Sequence, residues 1–215
     1  MPSQIPLPLP TPARLGRADF IIGPGNRAAV AFVDSWPNWP GAAAALFGPP
    51  GSGKSHLSAV WAEKAEADIL EAVRLREADL ARPAPLLIEN ADGVPPEAEA
   101  ALFALLERGH AMLLTGHERP AAWPVRLPDL RSRLDALLAF PLWAPDDDLL
   151  TALAKKLFAD RQLAVPEAVI AQMIRALERS PAAVRDFVAR ADAAALAGKR
   201  PVTTALIREL LAKEG

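Results

Sequence analysis

The chain has 215 residues, with 24 Lys and Arg against 26 Asp and Glu, for a net charge of −2. Hydrophobic residues make up 51% and charged residues 23%, which excludes a disordered protein, and the charge balance excludes a protein held on nucleic acid by bulk charge. Cysteine is absent, which excludes a disulfide framework, thiol catalysis and cysteine-based zinc sites.

Residues 1–12 carry prolines at 2, 6, 8, 10 and 12, a pattern that excludes a helix and favours an extended tail. No basic stretch followed by an apolar one opens the chain, and no apolar run approaches the length of a membrane span, so no membrane association and a cytoplasmic compartment are expected. The triplet Phe20-Ile21-Ile22 leads into the turn Gly23-Pro24-Gly25-Asn26 and a helical stretch to Trp36. Ala42 to Phe47 reads as a buried strand, and Ser55 to Ala67 has helical spacing. Leu86-Leu87-Ile88 is a second buried strand. Pro95-Pro96 opens a helix through Arg108, with Leu102, Leu105 and Leu106 on one face. Two further apolar runs follow, Ala111 to Thr115 and Leu134 to Leu142.

After Trp143 the pattern is helical only, over about 147–160, 166–178, 181–197 and 203–213. The acids at 146–148 suit the positive end of the first of these helices. Strands alternating with helices predict an α/β core with a parallel sheet, followed by a small helical lid. The expected divisions are a tail over 1–15, the α/β part over 16–144 and the lid over 145–215.

Gly48-Pro49-Pro50-Gly51-Ser52-Gly53-Lys54-Ser55 fits G-x-x-x-x-G-K-[ST] between a strand and a helix. Such a loop turns backbone N–H groups toward phosphate oxygens at a helix N-terminus. Lys54 is predicted to reach the β- and γ-phosphates and Ser55 to hold Mg²⁺, with His56 next in the helix. Glu89, at the end of the second strand, is predicted to join the Mg²⁺ shell. The next residue is Asn90, which cannot accept a proton, so the site is expected to bind nucleotide better than it hydrolyses it.

On these residues the chain resembles the AAA+ P-loop ATPases, and within them the replication initiator DnaA, from about residue 18 onward. The segment from Phe20 to Arg27, including Ile22 and Asn26, resembles the DnaA segment near the adenine. Leu113-Leu114-Thr115-Gly116-His117 resembles the sensor 1 strand end, where that family carries a small polar or acidic residue in place of His117. Leu130-Arg131-Ser132-Arg133-Leu134 resembles the box that carries the arginine finger. The resemblance implies that Arg133 is that finger, with Arg131 as the alternative. Ser180-Pro181-Ala182-Ala183-Val184-Arg185-Asp186 resembles the sensor 2 helix and implies Arg185 beside the γ-phosphate.

The pattern departs from DnaA in showing no C-terminal helix-turn-helix DNA-binding domain, so no direct sequence-specific DNA binding is expected. It is similar to the Hda family of DnaA regulators. Gln4-Ile5-Pro6-Leu7-Pro8-Leu9 resembles that family's motif for the DNA polymerase III sliding clamp, which implies clamp contacts by Gln4, Ile5, Leu7, Pro8 and Leu9. A proline-stiffened peptide loses little entropy on docking. The resemblance thus implies ADP or ATP with Mg²⁺ as cofactors, DnaA and the clamp as partners, and stimulation of ATP hydrolysis by DnaA. It leaves room for a homodimer. A helicase-loader-like AAA+ ATPase is the alternative, and a small-molecule P-loop kinase a more distant one.

Overall fold

The computed structural model describes residues 16–83 and 85–212. Five strands form one parallel sheet: β1 (Ala43–Phe47), β2 (Asp68–Glu71), β3 (Leu86–Glu89), β4 (Met112–Gly116) and β5 (Leu138–Pro141), in the order β2-β3-β4-β1-β5. The central strands are apolar on both faces because helices cover both. Ala44, Leu46, Leu87 and Leu113 face α1 (Arg27–Asp34) and α2 (Lys54–Ala65), where they meet Val30, Phe32, Leu57 and Trp61. Ala45, Leu86, Ile88, Met112 and Leu114 face the other way. They pack on Leu102 and Leu105 of α3 (Glu99–Glu107) and on Leu130 and Leu134 of α4 (Pro128–Asp135).

Three elements differ from the sequence reading. β2 was not expected: it is a four-residue edge strand with Ile69 56% exposed, so it lacks the apolar run of a buried strand. The helix expected from Pro95 begins as a 3-10 turn at Pro96–Ala98 and becomes α-helical only at Glu99. The run from Leu134 to Leu142 divides between the end of α4 and β5.

Beyond the sheet lie α5 (Asp147–Asp160), α6 (Glu167–Ala176), α7 (Pro181–Gly198) and α8 (Thr204–Leu211). These four helices share an apolar cluster of their own, built around Phe158, Met173, Val184, Phe187 and Ile207. Side-chain caps define three of their starts. Asp146 Oδ1 accepts from Leu149 N at 2.8 Å, Ser180 Oγ from Ala183 N at 3.1 Å and Thr203 Oγ1 from Leu206 N at 3.4 Å. Among the described residues, no helix is long and apolar enough to cross a membrane.

Candidate phosphate cleft and apolar pocket

The candidate site begins where β1 ends. Gly48 N–H donates to Gly116 O at 3.3 Å, which fastens the loop to the end of β4. A Cβ at Gly48 would lie 2.0 Å from Leu142 O, so only glycine fits there. Gly51 has φ +75°, and a Cβ there would lie 3.1 Å from Cβ of Ser180, which caps α7, so the loop and the last helices meet at this point. Gly53 then leads into the N-terminus of α2.

Lys54 is buried, and its Nζ donates to Gly48 O at 2.6 Å and Pro49 O at 2.9 Å. Burial lowers its pKa, partly offset by the charge of Asp92. Ser52 Oγ is buried with no protein partner, an unsatisfied group inside the loop that a phosphate oxygen would satisfy. Ser55 is exposed to the cleft. Lys54, Ser55, Pro50, Asn90, His117 and Arg185 line one open cleft around the loop. Two cationic side chains, a buried hydroxyl and the end of a 12-residue helix fit a polyphosphate.

Glu89 closes β3 on the same face as Leu87, toward α2. Burial raises its pKa, and the charge of Glu71 raises it further. A carboxylate under that pressure suits a cation. Among the described residues, no group of three or more His, Asp or Glu side chains is gathered to hold a metal alone. Ser55 lines the cleft, and Glu89 ends β3 directly before Asn90, which also lines it; a Mg²⁺ ion bound there would be held by these two with phosphate oxygens and water. Asn90 has φ +53°, a conformation that asparagine tolerates, and its N–H donates to Thr115 Oγ1 at 3.0 Å.

Beside the cleft, Phe20, Ile21, Leu149, Leu153 and Pro181 line a small, mainly apolar pocket that continues to Ser52 and Arg185. The sequence reading chose Ile22 here, but Ile22 is 49% exposed and Ile21 lines the pocket instead. Asn26 borders the pocket with its amide engaged in the turn. Its Oδ1 accepts from Gly23 N at 2.9 Å and its Nδ2 donates to Ile21 O at 3.0 Å, so Asn26 shapes the wall. Leu149 and Leu153 were missed because no local motif marks them. Phe20 opens the segment read as adenine-side, and the two leucines belong to a helix more than a hundred positions away.

His56 is buried, with Nε2 3.0 Å from Gly16 O and Nδ1 3.3 Å from Arg185 Nη2. A carbonyl only accepts and a guanidinium only donates, so Nε2 carries the proton of this neutral ring. Arg185 reaches both the cleft and the pocket, and its pKa is lowered by burial, partly offset by the charges of Asp19 and Asp186.

Arg133 is remote from this site. It stands near the C-terminal end of α4, beside the start of β5 and the residues preceding β1, whereas the phosphate loop follows the other end of β1. Its side chain is 55% exposed and pairs with Glu107. Arg131 instead donates to Ala121 O and Val125 O, both at 2.9 Å, and so holds the segment before α4. Gln4, Ile5, Leu7, Pro8 and Leu9 lie outside the described residues.

No protein-family profile matches the chain, and no curated protein matches it. Solved structures do. Domain III of the Thermotoga maritima replication initiation protein DnaA superposes with a TM-score of 0.74 at 17% identity, over 93% of this chain and 96% of that one. The Thermotoga maritima RuvB Holliday junction branch migration motor gives 0.70 at 16% identity, over 90% of this chain and 70% of that one. A replication initiator DnaA bound to AMPPCP and single-stranded DNA gives 0.66 at 16% identity, over 80% and 62%. The parallel five-stranded sheet, the phosphate loop and the C-terminal helices together are those of an AAA+ P-loop ATPase fold.

Proposed function

We propose that this chain is a DnaA-like AAA+ regulator in the cytoplasm. It binds adenine nucleotide with Mg²⁺, docks on the sliding clamp through residues 4–9 and stimulates ATP hydrolysis by DnaA. The phosphate chain lies along Gly48–Ser55 with Lys54 and Arg185 as its cations, Ser55 and Glu89 hold Mg²⁺, and the base enters the pocket of Phe20, Ile21 and Leu153. The similarity to DnaA domain III supports this reading, as does the polar-to-apolar continuity from Ser52 to Phe20.

The observation that carries the partner role is the place of Arg133. It is exposed at the end of the sheet away from its own phosphate loop, held there by an exposed ion pair with Glu107 that a neighbour's phosphate could replace. An arginine supplied in trans stabilises charge on a transferred phosphoryl group and is worth roughly 10³–10⁵ in rate. Arg131 is a weaker candidate because its guanidinium already holds two backbone carbonyls.

The test is conversion of DnaA-bound ATP to ADP in the presence of clamp loaded on DNA. The intact chain should accelerate it. A variant with Gln4, Leu7 and Leu9 replaced by Ala should lose clamp binding and acceleration while still binding nucleotide. Unchanged clamp affinity in that variant would contradict the tail assignment. Rapid self-hydrolysis with binding to a helicase, and none to the clamp, would favour a helicase loader.

A further inference from the structure

His117 directly follows β4 and lines the phosphate cleft with Lys54, Ser55, Asn90 and Arg185. Asp92 stands in the 3-10 turn Ala91–Gly93 that follows β3. Asp92 Oδ2 accepts twice from His117, from the backbone N–H and from ring Nδ1, each at 2.8 Å. An ionised carboxylate only accepts, so Nδ1 carries a hydrogen and Nε2 of the neutral ring holds a lone pair. The Asp92 side chain is 17% exposed and the His117 side chain 50%, so the carboxylate is sheltered while the ring remains open.

The surrounding backbone is tied down. Asn90 N–H donates to Thr115 Oγ1, and Gly48 N–H donates to Gly116 O, so the ends of β3 and β4 and the start of the phosphate loop form one frame. His117 and Lys54 line the same cleft, and the charge of Asp92 acts on that lysine.

We propose that His117, oriented by Asp92, accepts the proton of the water that attacks the terminal phosphate of a nucleoside triphosphate in this chain's own cleft. The proposal rests on the nucleotide reading of that cleft. Asn90 offers no basic atom where a carboxylate would otherwise stand. His56, which also lines the cleft, has both ring nitrogens engaged with Gly16 and Arg185. In the step, the water oxygen bonds to the terminal phosphorus. The bond from that phosphorus to the bridging oxygen breaks, and its electron pair stays on the departing diphosphate. One water proton passes to Nε2 and is later released to solvent. The products are nucleoside diphosphate and inorganic phosphate. Asp92 is a positioning residue, because its acceptor keeps the proton on Nδ1 and the lone pair on Nε2.

The experiment measures kcat and KM for ATP hydrolysis by the full chain, and separately its affinity for a fluorescent ADP analogue. His117→Gln should lower kcat by about 100-fold, the lower range for a lost proton acceptor, with ADP affinity unchanged. Asp92→Asn should lower kcat with KM unchanged, since an amide can donate to Nδ1 and turn the ring's tautomer. Unchanged kcat in His117→Gln would overturn the proposal. So would a loss of affinity with kcat retained, which would make His117 a phosphate ligand, or a wild-type chain that binds ADP but shows no turnover. Failure of the wild-type chain to bind ADP would instead overturn the nucleotide reading, and this proposal with it.

Discussion

Burial disfavours the charged form of both Lys54 in the phosphate loop and Glu89 at the end of β3. It lowers the pKa of Lys54 and raises that of Glu89, so both ionised forms are disfavoured until a ligand of opposite charge arrives. For Glu89 the consequence has a definite sign. A carboxyl whose folded pKa is raised holds its proton longer in the folded state, so its destabilising effect grows as pH rises through and above the ordinary carboxylate range. Glu89→Gln should therefore raise the melting temperature of the nucleotide-free protein at neutral pH, by about 1–2 °C, and should weaken Mg²⁺-dependent nucleotide binding. A lower melting temperature would show that Glu89 is a structural carboxylate. Lys54→Ala should lower nucleotide affinity by about tenfold or more and abolish the thermal stabilisation that ADP gives the wild-type chain. At this scale the phosphate loop was legible because its residues are contiguous and each has its own chemical reason. The choice of Ile22 over Ile21 was not, because the direction of each side chain depends on the turn that Asn26 closes from five residues away.

Among the elements, α4 is positioned by a group that sequence patterning left unnoticed. Glu99 is 3% exposed at the start of α3, and its carboxylate accepts from Arg126 N at 2.9 Å and Leu127 N at 2.7 Å, directly before α4 begins. Arg131 holds the same segment from the other side through Ala121 and Val125. Glu99→Ala would leave two backbone donors without their acceptor and should destabilise the protein by about 2–3 kcal/mol, read by denaturant unfolding. Glu99→Gln, which can still accept one of these bonds, should lose less. The C-terminal helices were legible because the acids at 146–148 mark the first entry and the pattern after Trp143 is helical only, while the caps of Ser180 and Thr203 emerged with the structure. β2 was not legible, since Asp68 and Glu71 bracket two apolar residues at a sheet edge and no alternation or long apolar run marks it.

Across the whole molecule, the apolar clusters of the sheet and the cluster of the C-terminal helices are bridged by residues 16–21. Gly16 meets His56 on α2, Arg17 pairs with Asp34 of α1 at 2.7 Å, Asp19 pairs with Lys156 of α5 at 2.7 Å, and the Asp19 carbonyl accepts from Arg185 of α7 at 3.5 Å. The candidate nucleotide site is thus assembled from the sheet, the segment preceding α1 and the C-terminal helices, while Arg133 stands at the other end of the sheet. The separation makes each role testable alone. The most direct measurement is the rate at which DnaA-bound ATP becomes ADP with DNA-loaded clamp present, compared between the wild-type chain, Arg133→Ala and Arg131→Ala. The account predicts that Arg133→Ala keeps nucleotide and clamp binding but loses the stimulation, while Arg131→Ala loses stability more than stimulation. Full stimulation by Arg133→Ala would contradict it.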